Sequence, residues 1–437
     1  MSDVGDVPSY AQERRVRTVC AARQHGHQPS GKTLALACVL PERADIAALE
    51  EAVAGFVARH SALRYRFRHR DGMVTVRRVT PRPIRCAVTE AESPPNSVEA
   101  VEQLVRAEVD RPFDVLGWPL LRAGVIQSSR PVFHLSMDHL VADGWSLTVA
   151  HRDIEALYRA AVTGSPADLP EPGDFAAFAT AQRRRYTEGP ALDQQVTAVQ
   201  RLLGGRPVEP AFPVDARPWD LAAGRYVRID LLDRAEAEAF TRRCRTVRAT
   251  AFMGVLAAVG TAMHEATGQQ EVGMLVAMHN RDTPPVAGSV GWYANMLPLY
   301  FPATARFDHT LRSTRAALLA AIEHHELPIA RVLDTTPAGH YSGAGDQYPL
   351  CFVSFSDDRT MGPTGTAAGP QGAGDGWQRV HLAPAHRLGY GIWISLTDTG
   401  LLAVVASPRS LASRDHLAAF ETTLADVLRR VATEEVR

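Results

Sequence analysis

Apolar positions recur at helical spacing in "ADIAALEEAVAGFVARH" (44–60), where Ile46, Leu49, Val53, Phe56 and Val57 share one face. Asp45 stands where it can cap that helix. "ALRYRFRHRDGMVTVRRV" (62–79) then alternates polar and apolar around Asp71-Gly72, a hairpin signal. The spacing predicts a second amphipathic helix over 97–110. Two strands are predicted around a polar turn in "PLLRAGVIQSSRPVFHLSMDHL" (119–140), and a helix over 146–164 that stops at a glycine. "GSPADLPEPGD" (164–174) is rich in Pro and Gly and is the expected boundary. Beyond it, helical runs are expected over 175–203, 233–247 and 249–266, and strands over 271–278 and 295–301. A helix over 309–325, strands near 390–407 and a last helix over 413–432 follow. The Gly-rich run 361–376 reads as a loop. The pattern is mixed α/β, in two lobes of about 1–170 and 175–437.

Composition narrows the class. The chain has 437 residues, 46% hydrophobic and 22% charged, as a globular protein does, and its net charge of −1 does not draw it to nucleic acid or to an anionic membrane. Its five cysteines are scattered with no C-x-x-C pair, against a disulfide framework or structural zinc. No secretory leader or uninterrupted apolar span is visible, and a cytoplasmic protein is expected. One lysine occurs, Lys32; every other member of the Lys/Arg class is arginine.

Two motifs promise more than their context supports. "GHQPSGKT" (26–33) fits the phosphate-loop pattern G-x-x-x-x-G-K-[ST]. That loop needs a strand before it and a helix after it, so that backbone N–H groups cradle phosphate. Here the order is inverted, with a helical stretch before and a strand after. "EHHELP" offers His324, His325 and Glu326, but adjacent helical histidines diverge by about 100° and read as a helix end.

"HLSMDHLVADGWS" (134–146) carries the chemistry. His139 stands between Asp138 and Asp143 at a predicted strand end. A neutral imidazole accepts a proton near neutral pH. Asp143, if buried, needs a positive partner or several hydrogen bonds, and Gly144 permits backbone conformations closed to other residues. On spacing alone, a satisfied core histidine with Asp143 capping the next helix is the favoured reading of the stretch.

The segment resembles the H-H-x-x-x-D-G motif of nonribosomal peptide synthetase condensation domains, members of the chloramphenicol acetyltransferase-like superfamily. Further matches keep the family's order. "PSYAQERR" (8–15) resembles S-x-A-Q-x-R, and "RHSALRYRF" (59–67) resembles R-H-x-x-L-R-x-x-F. "RPFDVLGWPLLRA" (111–123), "FPVDARP" (212–218), "ATAFMGVLAA" (249–258), "VGWYANMLPL" (290–299), "HHELPIARVL" (324–333) and "YPLCFVSF" (348–355) follow. The resemblance implies two chloramphenicol acetyltransferase-like lobes in a V-shaped pseudo-dimer with a central tunnel. Thioesters on phosphopantetheine arms of carrier proteins would meet there at His139, the catalytic residue. It further implies that Asp143 is structural and paired with Arg64, that Gly144 leaves room at the reacting centre, and that Trp145, Tyr293 and Asn295 line the tunnel. The expected enzyme is a free-standing, monomeric acyltransferase that meets carrier proteins in trans and forms an amide, with an ester as the second product. It binds no cofactor of its own, and its chemistry needs no metal.

Asp138 replaces the motif's first histidine. In a regular strand it faces away from His139; after an earlier turn, its carboxylate would raise the imidazole pKa. "DHLVADGWS" also fits the D-x-x-x-x-D-x-x-S signature of heterocyclisation domains, though retention of His139 and the lack of a matching Thr and Asp pair downstream favour condensation. No segment like E-G-H-G-R-E suggests epimerisation. Non-catalytic recruiting members of the fold typically lose the histidine kept here. A CoA-dependent acyltransferase is the remaining alternative.

Overall fold

The computed structural model describes residues 6–26, 32–95, 97–212, 224–336, 350–359, 376–380, 382, 385–386, 390–408 and 414–434. These form two compact α/β units, Met1–Thr187 with His279–Ala294 and Gln371–His386, and Glu188–Met278 with Asn295–Pro370 and Arg387–Arg437.

The first unit begins with α1 (Tyr10–Gln24), β1 (Lys32–Val39), α2 (Ile46–Arg59), β2 (Tyr65–Arg70), β3 (Met73–Arg78) and β4 (Ala87–Glu90). It continues with α3 (Val98–Asp110), β5 (Leu121–Gln127), β6 (Val132–Asp138), α4 (Gly144–Thr163) and α5 (Phe175–Tyr186). The second unit supplies α6 (Pro190–Leu203), β7 (Gly224–Asp233), α7 (Arg234–Thr246), α8 (Ala251–Thr267) and β8 (Glu271–Met278). The short α9 (Pro284–Ala287) returns to the first unit; β9 (Asn295–Pro302), α10 (Phe307–Ile322), α11 (Ile329–Thr335) and β10 (Cys351–Asp357) belong to the second. β11 (Gln378–Val380) and β12 (Ala385–His386) again join the first, and β13 (Tyr390–Thr397), β14 (Gly400–Pro408) and α12 (Arg414–Thr433) complete the second.

In the first unit the strand order is β11-β1-β6-β5-β4, with β12 also on β1. β6 lies between β1 and β5, antiparallel to both. β1 is buried without a break from Thr33 to Cys38 because helices cover both faces. Leu34, Leu36 and Cys38 pack with Leu49, Val53, Phe56 and Val57 of α2 and with Val149 and Ile154 of α4. Ala35 and Ala37 pack with Val101, Val105 and Val109 of α3. Each such leucine or phenylalanine contributes about 1.5–3 kcal/mol. Asp45 caps α2, accepting from Ala48 N at 3.1 Å.

The boundary falls later than the composition suggested. Residues 164–174 connect α4 and α5 inside the first unit, and the division comes after Thr187. The reason is α5: Phe175, Ala176 and Ala179 are buried in the first unit's core. The helical run read over 175–203 is two helices, separated at Gly189 (φ 115°) with Pro190 opening α6. The lobe read as 175–437 also yields 279–294 and 371–386 to the first unit.

The second unit's sheet runs β7-β14-β13-β10-β8-β9. Behind it α8 is buried at every residue from Gly254 to Met263, so its apolar run is core. No single described helix is long and apolar enough to cross a membrane. Among the stretches read from sequence, 27–31, 213–218 and 361–375 lie outside the described residues. The helix-then-strand order around 27–31 is observed, as α1 and β1.

Candidate active site

β6 ends one residue before His139, within the first unit. All seven residues of β6 are buried, and the pairing with β1 extends one step further, His139 N donating to Lys32 O at 2.9 Å. The chain then turns, with Val141 N donating to Asp138 O at 3.0 Å. Strand alternation sends Asp138 and His139 to opposite faces.

Asp138 is buried and meets Arg15 of α1, whose Nε donates to Oδ1 at 3.0 Å and Nη2 to Oδ2 at 2.7 Å. The same Oδ1 accepts from Leu140 N at 2.8 Å, while Gln12 Nε2 donates to Leu140 O at 2.7 Å. Gln12 is itself fixed by the Ser9 capping box that starts α1. The first turns of α1 therefore grip the residues on both sides of His139. The strand stays regular through Asp138, and the carboxylate supports the turn. Its pairing with Arg15 leaves the heterocyclisation signature without a free first aspartate.

His139 is half-buried, its ring 4.2 Å from that of Trp292 between centroids at 45°. Its pKa is pushed down to about 4, by burial first and then by the charge of Lys32, against the pull of Asp143. The imidazole is thus neutral at physiological pH and carries a lone pair for a proton. Developing negative charge beside it strengthens it as a base at the moment of reaction.

Asp143 is 1% exposed and opens α4. Oδ1 accepts from Ser146 N at 3.0 Å, Ser146 Oγ at 2.8 Å and Arg281 Nη2 at 2.7 Å. Oδ2 accepts from Tyr293 N at 3.0 Å and Ala294 N at 3.1 Å. Burial alone would raise its pKa; the Arg281 charge and the Ser146 hydrogen bonds hold it below the ordinary carboxylate range. The guanidinium that meets Asp143 is that of Arg281, where the resemblance implied Arg64. Arg64 ends the turn before β2, and its Nε has no hydrogen-bond partner among the described residues. Arg281 arrives on the 279–294 excursion and also donates to Val286 O at 2.9 Å and Ser289 O at 2.6 Å. Its sequence signal was "HNRD" directly after the apolar β8, with Asn280 and Arg281 both buried.

The remaining candidates divide. Gly144 is exposed, begins α4 and does not have a positive φ; a Cβ there meets nothing within 4 Å. It supplies open space, and no special backbone conformation. Trp145 is half-buried, donates its indole N–H to Ala287 O at 3.0 Å and packs 5.2 Å from the His279 ring. Tyr293 is 1% exposed, its hydroxyl accepting from Ser289 Oγ at 2.7 Å and its ring 4.4 Å from the Arg281 guanidinium. It is core that braces Arg281, where a tunnel wall was expected. Asn295 opens β9 in the second unit. Its amide donates to His325 O and Leu327 O, both at 2.7 Å, and accepts from Ile329 N at 3.0 Å. That side chain is engaged in the turn into α11. His325 Nδ1 lies 2.8 Å from Ile322 O at the end of α10.

His60, in the motif "RHSALRYRF", is fully buried. His60 Nε2 lies 3.0 Å from Asp153 Oδ2 and Nδ1 accepts from Val290 N at 3.2 Å. Both ring nitrogens are used, so His60 ties α2 to α4 and to the 279–294 excursion.

The comparisons decide the family. The condensation-domain model matches residues 9–341. This chain belongs to the condensation-domain family. It is 26% identical over 448 residues to the acyltransferase PapA3 of Mycobacterium tuberculosis, covering 98% of this chain and 90% of that one. It is 29% identical over 335 residues to the chondramide synthase cmdD of Chondromyces crocatus, covering 73% of this chain and 8% of the synthase. The solved PapA2 acyl transferase superposes with a TM-score of 0.80 at 20% identity, over 99% of this chain and 93% of that one, and shows the shared fold. Within this condensation-domain chain the residues 8–15 and 134–146 that carried the resemblance are the ones joined by Arg15–Asp138 and Gln12–Leu140.

Proposed function

We propose that this condensation-domain protein is an acyltransferase that moves an acyl or aminoacyl group from a thioester to an amine. The carrying observation is His139: a neutral, half-buried imidazole at a strand end, gripped through its two neighbours by α1. In this reading the acceptor N–H attacks the thioester carbonyl carbon and its proton passes to His139. The carbonyl oxygen takes the negative charge. Collapse re-forms the carbonyl, expels the thiolate, and returns the proton to sulfur. Holding amine and carbonyl together is the larger lever, and proton transfer adds roughly 10²–10⁴-fold.

The donor of this reading is the phosphopantetheine arm of a carrier protein. A second reading, a hydroxyl acceptor, is favoured by one observation: 26% identity over 337 residues to PapA1 of Mycobacterium tuberculosis, a 2'-acyl-2-O-sulfo-trehalose (hydroxy)phthioceranyltransferase. The test offers purified protein a panel of acylated carrier proteins and the corresponding acyl-CoAs, each with amine and alcohol acceptors. Products are read by mass spectrometry. His139→Ala is expected to lose product about 10²–10⁴-fold; unchanged product formation sinks the assignment of His139. Equal turnover of acyl-CoA sinks the carrier requirement.

A further inference from the structure

The phosphate-loop pattern left one residue unexplained. Lys32 is the single lysine among 47 Lys and Arg residues. The β1–β6 register pairs Thr33 with Asp138, and the bond from His139 N to Lys32 O at 2.9 Å carries the pairing one step on. Lys32 is therefore directly opposite His139. Opposite residues of an antiparallel pair point to the same face, with Cβ atoms about 4.5–5.5 Å apart. Exposure agrees: Thr33 and Asp138 are each 2% exposed, on the buried face, whereas Lys32 and His139 are both half-buried.

Resting on the acyl-transfer reading, we propose that Lys32 is the cation of the reaction centre, its ammonium sharing the face of His139 and meeting the negative charge that the attacked carbonyl oxygen acquires. Among the described residues, the other charges that act on His139 are already engaged. Arg15 of α1 is committed to Asp138. Asp143, at the start of α4, is acidic and bound to Arg281, which also holds the Val286 and Ser289 carbonyls. Trp292, packed on the ring, is neutral. An ammonium is a compact charge with three rotatable donors, suited to a single oxyanion, whereas guanidinium favours planar bidentate partners. In the free protein the same charge opposes protonation of His139, consistent with the neutral imidazole. The proton in transit is the one that His139 takes from the acceptor and returns to the thiolate.

A single lysine allows the charge to be removed without refolding the protein. Acetylation of the folded protein removes it and reductive dimethylation keeps it; both reagents change the charge of the N-terminal amine in the same sense as that of Lys32, and substitution of Lys32 leaves that amine untouched. Mass spectrometry verifies modification at Lys32. Lys32→Met and Lys32→Arg form the matching genetic pair. The first readout is the titration of His139 by NMR of protein with 13C-labelled histidine, assigned by its absence in His139→Gln. Acetylation and Lys32→Met are expected to raise its midpoint by about one pH unit, and dimethylation and Lys32→Arg to leave it in place. The second readout is turnover of the donor found in the panel, expected to fall about 100-fold when the charge is removed. A midpoint that ignores removal of the charge overturns the placement of Lys32, whatever the reaction. A shifted midpoint with unchanged turnover overturns its role toward the oxyanion. Absence of acyl transfer in unmodified protein overturns the proposed function instead.

Discussion

Asp138 and Asp143 stand on either side of His139, each buried, each facing a guanidinium from a remote stretch of chain. They hold different things. Asp138 has Arg15 and the Leu140 N–H, and it fixes the local turn. Asp143 has Arg281, Ser146 and the backbone of Tyr293 and Ala294, and it fixes a long-range excursion, 279–294, to the start of α4. The difference teaches that two carboxylates with the same chemistry can act at different ranges. One aims the histidine and the other assembles the wall beside it.

The strongest way to break this comparison is Arg281→Met. It strands a buried carboxylate and frees the carbonyls of Val286 and Ser289, so urea unfolding should show a loss of about 3–5 kcal/mol. A loss below about 1 kcal/mol would mean that the backbone donors satisfy Asp143 alone. Arg15→Met leaves Asp138 with Leu140 N as its remaining partner among those described and should cost about 3 kcal/mol. The two pairs should then part company. Arg15→Met combined with Asp138→Leu removes both charges and should recover most of the stability, while acyl transfer stays low because the turn at His139 is no longer gripped. Arg281→Met combined with Asp143→Leu should not recover, because the N–H groups of Tyr293 and Ala294 lose their acceptor.

Acid sharpens the contrast between the histidines and the carboxylate. His139, with its pKa near 4, and His60, lowered chiefly by burial, stay neutral in the fold while the unfolded chain takes up protons below about 6.5. More protons on the unfolded state means that stability falls as pH drops from about 6.5 toward 4. Asp143 has the opposite charge but the same sign of effect. Its folded pKa is depressed, so its contribution is present above about 3.9 and is lost as pH falls through the folded value. Thermal unfolding followed across pH should therefore show two windows of loss. His139→Gln should shrink the upper one to the share of His60 and leave the lower one in place.

What the sequence made legible follows from range. α2 was readable because its apolar stripe and the Asp45 cap are local, and the helix after His139 because Asp143, Ser146 and Gly164 punctuate it. The condensation-domain resemblance was readable because its motifs keep their order. Local signals misled where tertiary burial decides: the Pro- and Gly-rich 164–174 marks a surface connection, while Phe175 beyond it completes the first core. The partner of Asp143 was misassigned because Arg64 and Arg281 are both remote in sequence, and only the return of 279–294 to the first unit selects between them. Tyr293 and Asn295 carry motif positions, but their groups are spent on Ser289 and on the turn into α11, which no spacing reveals.

The smallest expected effect is at Gly144. The resemblance gives this glycine to the reacting centre, and the structure gives it ordinary helical backbone with open space where a Cβ would stand. Gly144→Ala therefore meets no steric penalty within the described residues and restricts the unfolded chain. It should stabilise the fold by about 0.4–1 kcal/mol. If that space receives substrate beside His139, the same variant should lower kcat/KM for the panel donor while melting at a higher temperature. A stabilised protein with full activity would assign the glycine to the start of α4 alone, and would leave the centre to His139, its two flanking carboxylates and the lysine opposite.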